Sequence, residues 1–164
     1  MTVTEESVRV TLRKPVERVA CRAYLGANQS NIASASDVKV SLAVTEYDLG
    51  ENFDTATNYR FTAPVSGLYN IIGQVTYVDS SVQADKSYKA MIFKNGTAIS
   101  GASVTASVAE YVSAVTATEA YLEKDDYIEL FAYTSGTGDT VDIYGTSAYT
   151  YLVIRLITKE GIKQ

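Results

Sequence analysis

Short segments in which apolar and polar residues alternate, separated by turn sequences, run along most of this chain. In one of them Val38, Val40 and Leu42 alternate with polar or small residues, a period of two that is typical of a half-buried strand. Between two others lies Asn95-Gly96, a dipeptide that favours a tight β-hairpin. Many short strands joined by turns predict a β-sandwich, a jelly roll or a barrel.

The same pattern predicts the strand positions. Predicted strands cover residues 7–13, 18–25, 38–44, 59–62, 68–78, 88–94, 97–102, 127–133 and 149–157. Residues 27–37 are rich in Ser, Asn and Ala and predict a loop, whereas Gly73, inside a long strand, predicts a bulge or a close backbone approach. Residues 104–122 also fit a helical stripe, but their Ser, Thr and Val content favours strands.

The composition agrees with an all-β domain. The 164 residues include 13 Tyr and only 2 Pro, and Val and Thr, which fit a pleated sheet better than a helix, are common. A chain of this length can bury a core without disulfides or metals. We divide it into an N-terminal arm (1–16), a β-sandwich domain (17–158) and a C-terminal tail (159–164).

Residue content excludes several classes of function. The chain has no histidine, which excludes nucleophiles activated by an imidazole base and histidine-ligated metals. Its net charge of −5 argues against nucleic-acid binding, and no apolar run reaches the roughly 18 residues that a membrane span needs. Residues 2–6 do not resemble a secretory signal, so we expect synthesis in the cytoplasm. The single cysteine, Cys21, lies in an apolar stretch and is predicted to be buried.

Four short motifs occur in a characteristic order along the chain. The central one joins Phe53-Asp54 to residues 59–69, which read YRFTAPVSGLY. The others are, in chain order, residues 20–24 (ACRAY), residues 94–96 (KNG) and residues 122–130 (LEKDDYIEL). Together they resemble complement C1q globular-head domains over residues 18–157, with Asp125 standing where that family has a glycine.

The resemblance implies an all-β fold: a ten-stranded jelly-roll sandwich of the C1q and tumour necrosis factor (TNF) superfamily, here preceded by a short strand-like arm. It further implies a non-enzymatic protein that assembles as a homotrimer and acts by recognition or assembly. The sequence has no collagen-type Gly-X-Y run, and similar domains without a collagen stalk occur in bacterial and bacteriophage proteins.

Carboxylates are the remaining candidates for a chemical site. Asp125 and Asp126 are neighbours in sequence, so in a strand they point to opposite faces and do not converge. Oxygen ligands from loops suit Ca²⁺, although no D-x-D-x-D-G loop is present. The calcium candidates are Asp79, Asp85, Asp139 and Asp142. Solvated turn residues are the simpler interpretation of all of them, and we predict no catalytic residue, no metal and no cofactor, with calcium as the alternative.

The tyrosines indicate association. Their amphipathic rings suit subunit interfaces, and most of them alternate within predicted strands. The candidates for a trimer interface are Tyr69, Tyr88, Tyr127, Tyr133, Tyr149 and Tyr151. The alternative use of such rings is stacking on sugars, which would need them in loops.

The arm concentrates positive charge beside an apolar stripe. Five of the chain's 14 basic residues lie within its first 22 positions. A lone amphipathic strand cannot satisfy its own backbone, so we expect either intersubunit salt bridges or strand addition to a partner. The predicted docking residues are Val8, Arg9, Val10, Leu12, Arg13 and Lys14.

These observations lead to one functional prediction and one alternative. The prediction is a non-enzymatic homotrimeric structural or attachment protein of a bacteriophage virion, either a capsid decoration protein or a fibre head. It would dock through its arm on a capsid or fibre protein at the virion surface. The alternative is an adhesin or recognition module that binds a carbohydrate or protein through apical loops, at a cell surface or secreted by a signal-independent route.

Overall fold

Two antiparallel β-sheets, packed face to face, contain nearly all regular structure in residues 18–136 and 140–159, the part of the chain that the computed structural model describes. The predicted arm (1–16) and residues 160–164 of the predicted tail lie outside it. The strands are β1 (Ala20–Tyr24), β2 (Gln29–Ala33), β3 (Val38–Lys39), β4 (Val44–Leu49), β5 (Phe53–Asp54), β6 (Arg60–Thr62), β7 (Gly67–Tyr77), β8 (Ser87–Lys94), β9 (Thr97–Thr105), β10 (Val112–Leu122), β11 (Tyr127–Thr134), β12 (Thr140–Ile143) and β13 (Tyr151–Lys159).

The first sheet has seven strands. Its order is β2-β12-β7-β13-β1-β4, and β10 also pairs with β7. The β7–β10 ladder is continuous, from Tyr77 opposite Val112 to Gly67 opposite Leu122. This ladder confirms the strand interpretation of the ambiguous stretch, which the structure divides between the end of β9 and the whole of β10.

The second sheet has six strands in the order β5-β6-β11-β8-β9, with β3 also paired to β11. The predicted hairpin is confirmed, because Asn95 and Gly96 join β8 to β9 with φ angles of 50° and 79°. Asp125 adopts the left-handed conformation (φ 73°) expected where the C1q family has glycine.

Strand alternation sends one set of side chains into the space between the sheets. Phe61, Ile71, Leu130 and Leu152 are among the core residues with almost no exposure. Cys21 is buried there as predicted, where desolvation and then the charge of Asp48 raise its pKa to about 12.

Gly73 allows the two sheets to approach closely. The ladders that β7 forms with β10 and β13 keep their register through Gly73, so no bulge occurs at this position. A Cβ atom added there would lie 2.6 Å from Cδ1 of Leu130 in the opposite sheet. Of the two predicted roles of Gly73, the structure therefore supports close approach.

Two predicted segments need correction. Residues 27–37 are not all loop, because Gln29–Ala33 pairs with β12 and buries Ile32. Within the predicted strand 38–44, only Val38–Lys39 and Val44, the first residue of β4, lie in strands, although Val40 and Leu42 are buried as the alternation predicted. Val40 N donates to Leu130 O, an isolated bond instead of a longer ladder.

The architecture confirms the all-β jelly-roll prediction. The described residues form thirteen strands, whereas ten were predicted for the domain. The difference arises because short paired segments such as β3 and β5 count as separate strands. The one helical element there is a 3-10 turn over Asp79–Ser81. No helix in the described ranges is long and apolar enough to cross a membrane.

Candidate interaction surface

The outer surface of the seven-stranded sheet, which faces away from the other sheet, carries an apolar row at its centre. Ile72 on β7 lies opposite Ala117 on β10 and opposite Val153 on β13. Ile72 and Val153 each lie between two buried neighbours, and Ala117 is itself exposed, so all three point away from the core. We call this surface the seven-stranded face.

Other exposed apolar side chains lie on the same face, on β10 and on β4. Val115 and Tyr121 on β10 are 50% and 46% exposed. On the far strand, β4, Tyr47 and Leu49 are 38% and 46% exposed. Arg22 on β1 lies between the row and β4. Scattered apolar residues are ordinary on a surface, but the row on β10, β7 and β13, with exposed apolar side chains next to it, forms a patch of the kind that marks an interaction site.

Tyr151 is held on this face by two neighbours. The Arg22 guanidinium lies 4.2 Å from the centre of its ring, and its hydroxyl donates to Oε1 of Gln74 at 3.2 Å. Arg22 is itself positioned by Glu46, whose Oε2 is 2.8 Å from its Nε. Tyr151 is therefore an ordered part of the seven-stranded face.

Two of the predicted interface tyrosines lie in the core, which corrects the prediction for them. The hydroxyl of Tyr69 donates to Val65 O at 2.7 Å, and its ring packs edge-on against Phe61. Tyr88 packs against Tyr77 with 4.9 Å between ring centres. Both are buried within a single chain and cannot contact a second copy.

Tyr127 and Tyr133 lie on the other sheet. Each ring is covered by a cation: Arg60 lies 4.3 Å from the centre of Tyr127 and Lys89 lies 4.4 Å from that of Tyr133. Of the six tyrosines, only Tyr151 therefore lies on the seven-stranded face, and Tyr149 lies next to it in the turn before β13.

A tyrosine cluster lies at one end of this sheet. Tyr144 has Tyr111 on one side and Tyr149 on the other, each with 5.2 Å between ring centres. Tyr111 and Tyr149 are about half exposed, and partial desolvation followed by the charge of Asp79 raises the pKa of Tyr111. Tyr111 and Tyr144 were not predicted from the sequence, because residues far apart in the chain meet here with no local signal.

The calcium candidates in the described part of the chain form no group of three. Asp79 Oδ1 accepts from its neighbour Ser80 N at 2.7 Å, and Asp142 Oδ1 accepts from Asn31 N at 2.8 Å. Asp139 lies outside the described residues. Within 18–136 and 140–159, no three acidic or cysteine side chains form a group able to hold a metal ion.

Two further carboxylates, Asp54 and Asp126, anchor turns through hydrogen bonds. Asp54 accepts hydrogen bonds from the backbone N–H groups of Thr57 and Ala56 and from the Asn58 amide, which lower its pKa. For Asp126, partial burial opposes ionisation, but bonds from Lys94 and Asn95 lower its pKa overall. These contacts occupy both carboxylates within the fold, as expected for structural residues.

Comparison with solved structures supports the topology. The TNF protein Eiger from S. frugiperda matches with a TM-score of 0.67 at 9% identity, over 90% of this chain and 98% of that one. Murine APRIL at pH 5.0 matches with a TM-score of 0.65 at 11% identity, over 85% of this chain and 99% of that one. The globular domain of zebrafish complement 1qA matches with a TM-score of 0.61 at 14% identity, over 88% of this chain and 100% of that one. No protein-family model and no curated protein matches the sequence. At these identities the likeness establishes the fold alone, and the chain has a C1q/TNF-like jelly-roll fold.

Proposed function

We propose that this chain is a non-enzymatic structural or attachment module that self-associates as a homotrimer through its seven-stranded face. The observation that carries the proposal is the apolar row Ala117–Ile72–Val153, flanked by the exposed Val115 and Tyr121. A second copy covering this surface would remove it from water, and each buried valine-sized side chain contributes about 1.5–3 kcal/mol. The sequence resemblance to C1q globular heads supports three copies.

A matched pair of lysine substitutions tests this proposal. Val115→Lys places a charge on the seven-stranded face, whereas Ile99→Lys does so on β9 of the other sheet, at a comparably exposed apolar position. We expect Val115→Lys to weaken association about tenfold to a hundredfold in sedimentation experiments, and Ile99→Lys to leave it unchanged. Equal effects of the two substitutions would contradict the assignment of the face.

Within this class we propose a bacteriophage virion component, a capsid decoration protein or fibre head at the virion surface. The sequence of the arm supports it, since an apolar stripe beside basic residues suits strand addition to an acidic partner. Deleting residues 1–16 should leave the oligomer intact and abolish binding to purified phage shells that lack this protein. Undiminished binding of the truncated chain would refute docking through the arm.

The tyrosine cluster favours a second candidate, a recognition module for carbohydrate. Exposed rings of Tyr111 and Tyr149, with Tyr144 between them, offer apolar surfaces on which a pyranose can stack. This candidate predicts that the wild-type trimer binds immobilised glycans and that Tyr111→Ala with Tyr149→Ala abolishes the binding without changing the mass. Absence of glycan binding by the wild type would eliminate it.

A further inference from the structure

One row of the seven-stranded face contains two opposite charges among apolar neighbours. Glu119 on β10 and Arg155 on β13 both lie opposite Asn70 on the strand between them. The two backbones are thus about 10 Å apart, or two strand spacings. Both side chains are exposed.

Neither side chain makes an ion pair or a side-chain hydrogen bond with any residue of the described ranges. The other charges discussed above differ, since Arg22 pairs with Glu46 and Lys94 pairs with Asp126. The charged row also has apolar residues on both sides: Ala117, Ile72 and Val153 lie on one side of it, and Tyr121 and Leu68, followed by the polar Thr158, lie on the other.

This placement matters if the face is covered, and the inference that follows therefore rests on the proposed function. Taking an unpaired charge out of water is strongly unfavourable, so a partner surface must bring an opposite charge to each of these two groups. A second copy of the same face carries both, one glutamate and one arginine, and satisfies this requirement without any other molecule.

We propose that Arg155 of one copy forms an ion pair with Glu119 of the next copy around the trimer. In a cyclic assembly each copy then uses Arg155 toward one neighbour and Glu119 toward the other. The pairing also favours closure, because an open chain of copies would leave one arginine and one glutamate unpaired at its ends. The charged row thus favours a closed ring of copies over an open chain, and burial of the apolar rows stabilises the association.

Charge reversal tests the pair, with masses measured by native mass spectrometry at micromolar concentration. We expect Arg155→Glu and Glu119→Arg each to weaken association at least about a hundredfold, because each leaves like charges facing each other. The double variant restores the opposite charges and should recover the wild-type mass. Lys124→Glu and Glu123→Arg, which make the same charge changes at the exposed β10–β11 turn, should have no effect.

Mixing the two single variants provides an independent test of the ion pair. If the pair forms between copies, mixed trimers appear and are more stable than trimers of either variant alone. Two of the three contacts in a mixed trimer then join opposite charges and one joins like charges, whereas all three contacts join like charges in a trimer of one variant. Single variants with wild-type mass, or a double variant that stays dissociated, would overturn the ion pair. In either case an intact wild-type trimer leaves the proposed function standing, whereas a monomeric wild type refutes the proposed function itself.

Discussion

Replacing Gly73 with alanine is expected to destabilise the fold by a predictable amount. The added methyl carbon would lie 2.6 Å from Cδ1 of Leu130, whereas carbon atoms in contact prefer a separation of about 3.5–4.0 Å. Leu130 is fully buried, so it can yield only by moving its own neighbours. Overpacking of this kind costs about 1–3 kcal/mol.

Thermal unfolding followed by circular dichroism measures the effect. For a chain of this size the cost corresponds to a fall in Tm of about 2–12 °C, measured at fixed protein concentration because association also shifts Tm. The matched control is Gly101→Ala on exposed β9, where the nearest atom to the new carbon belongs to the Met91 side chain, at 3.2 Å, and the backbone oxygen of Ala90 is 3.7 Å away. We expect a change within about 0.5 kcal/mol there.

A double-mutant cycle identifies the contact responsible. Leu130→Val removes the Cδ1 atom that the new methyl group would meet. Gly73→Ala should therefore cost less in the Leu130→Val background than in the wild type, with a coupling of about 1 kcal/mol. Equal costs in both backgrounds, or an alanine variant as stable as the wild type, would refute the close approach of the sheets at Gly73.

Three further changes have defined outcomes. Tyr77→Phe should lower the free energy of unfolding by about 1–2 kcal/mol in denaturant titrations, because the buried hydroxyl donates to Lys89 O at 2.5 Å and that acceptor would lose its partner. The fold lowers the pKa of Asp54 and Asp126. Their contribution to the free energy of unfolding is therefore complete at pH values above the pKa of an unfolded aspartate, and it is lost as the pH falls below about 4. Asp126→Asn should flatten that acid dependence, and an unchanged slope would contradict it. The Cys21 thiol, with its raised pKa, should react with thiol reagents at pH 8 only after unfolding, as mass spectrometry can measure.

The elements that sequence predicts here are those with local signals. Asn95-Gly96 specifies its hairpin through backbone preference alone, and the alternation of Val38, Val40 and Leu42 identifies which side chains are buried. The pairing of β2 with β12 has no such signal. It joins segments more than a hundred residues apart, as in the bond from Asn31 N to Asp142 Oδ1.

The tyrosines show why the interaction surface was harder to predict than the fold. Alternation gives two sets of side chains per strand, but which set enters the core depends on where the opposite sheet packs. Tyr69 belongs to the inward set of β7 and Tyr151 to the outward set of β13. The charged row is still less visible in sequence, because Glu119 and Arg155 become neighbours only through their shared partner strand.

The mass of the wild-type chain in solution tests the central claim most directly. Light scattering at micromolar concentration should give three times the 17.8 kDa of one chain, with the seven-stranded face covered by neighbouring copies. A mass of 17.8 kDa at every concentration measured would contradict self-association and leave the apolar row of this face exposed to water.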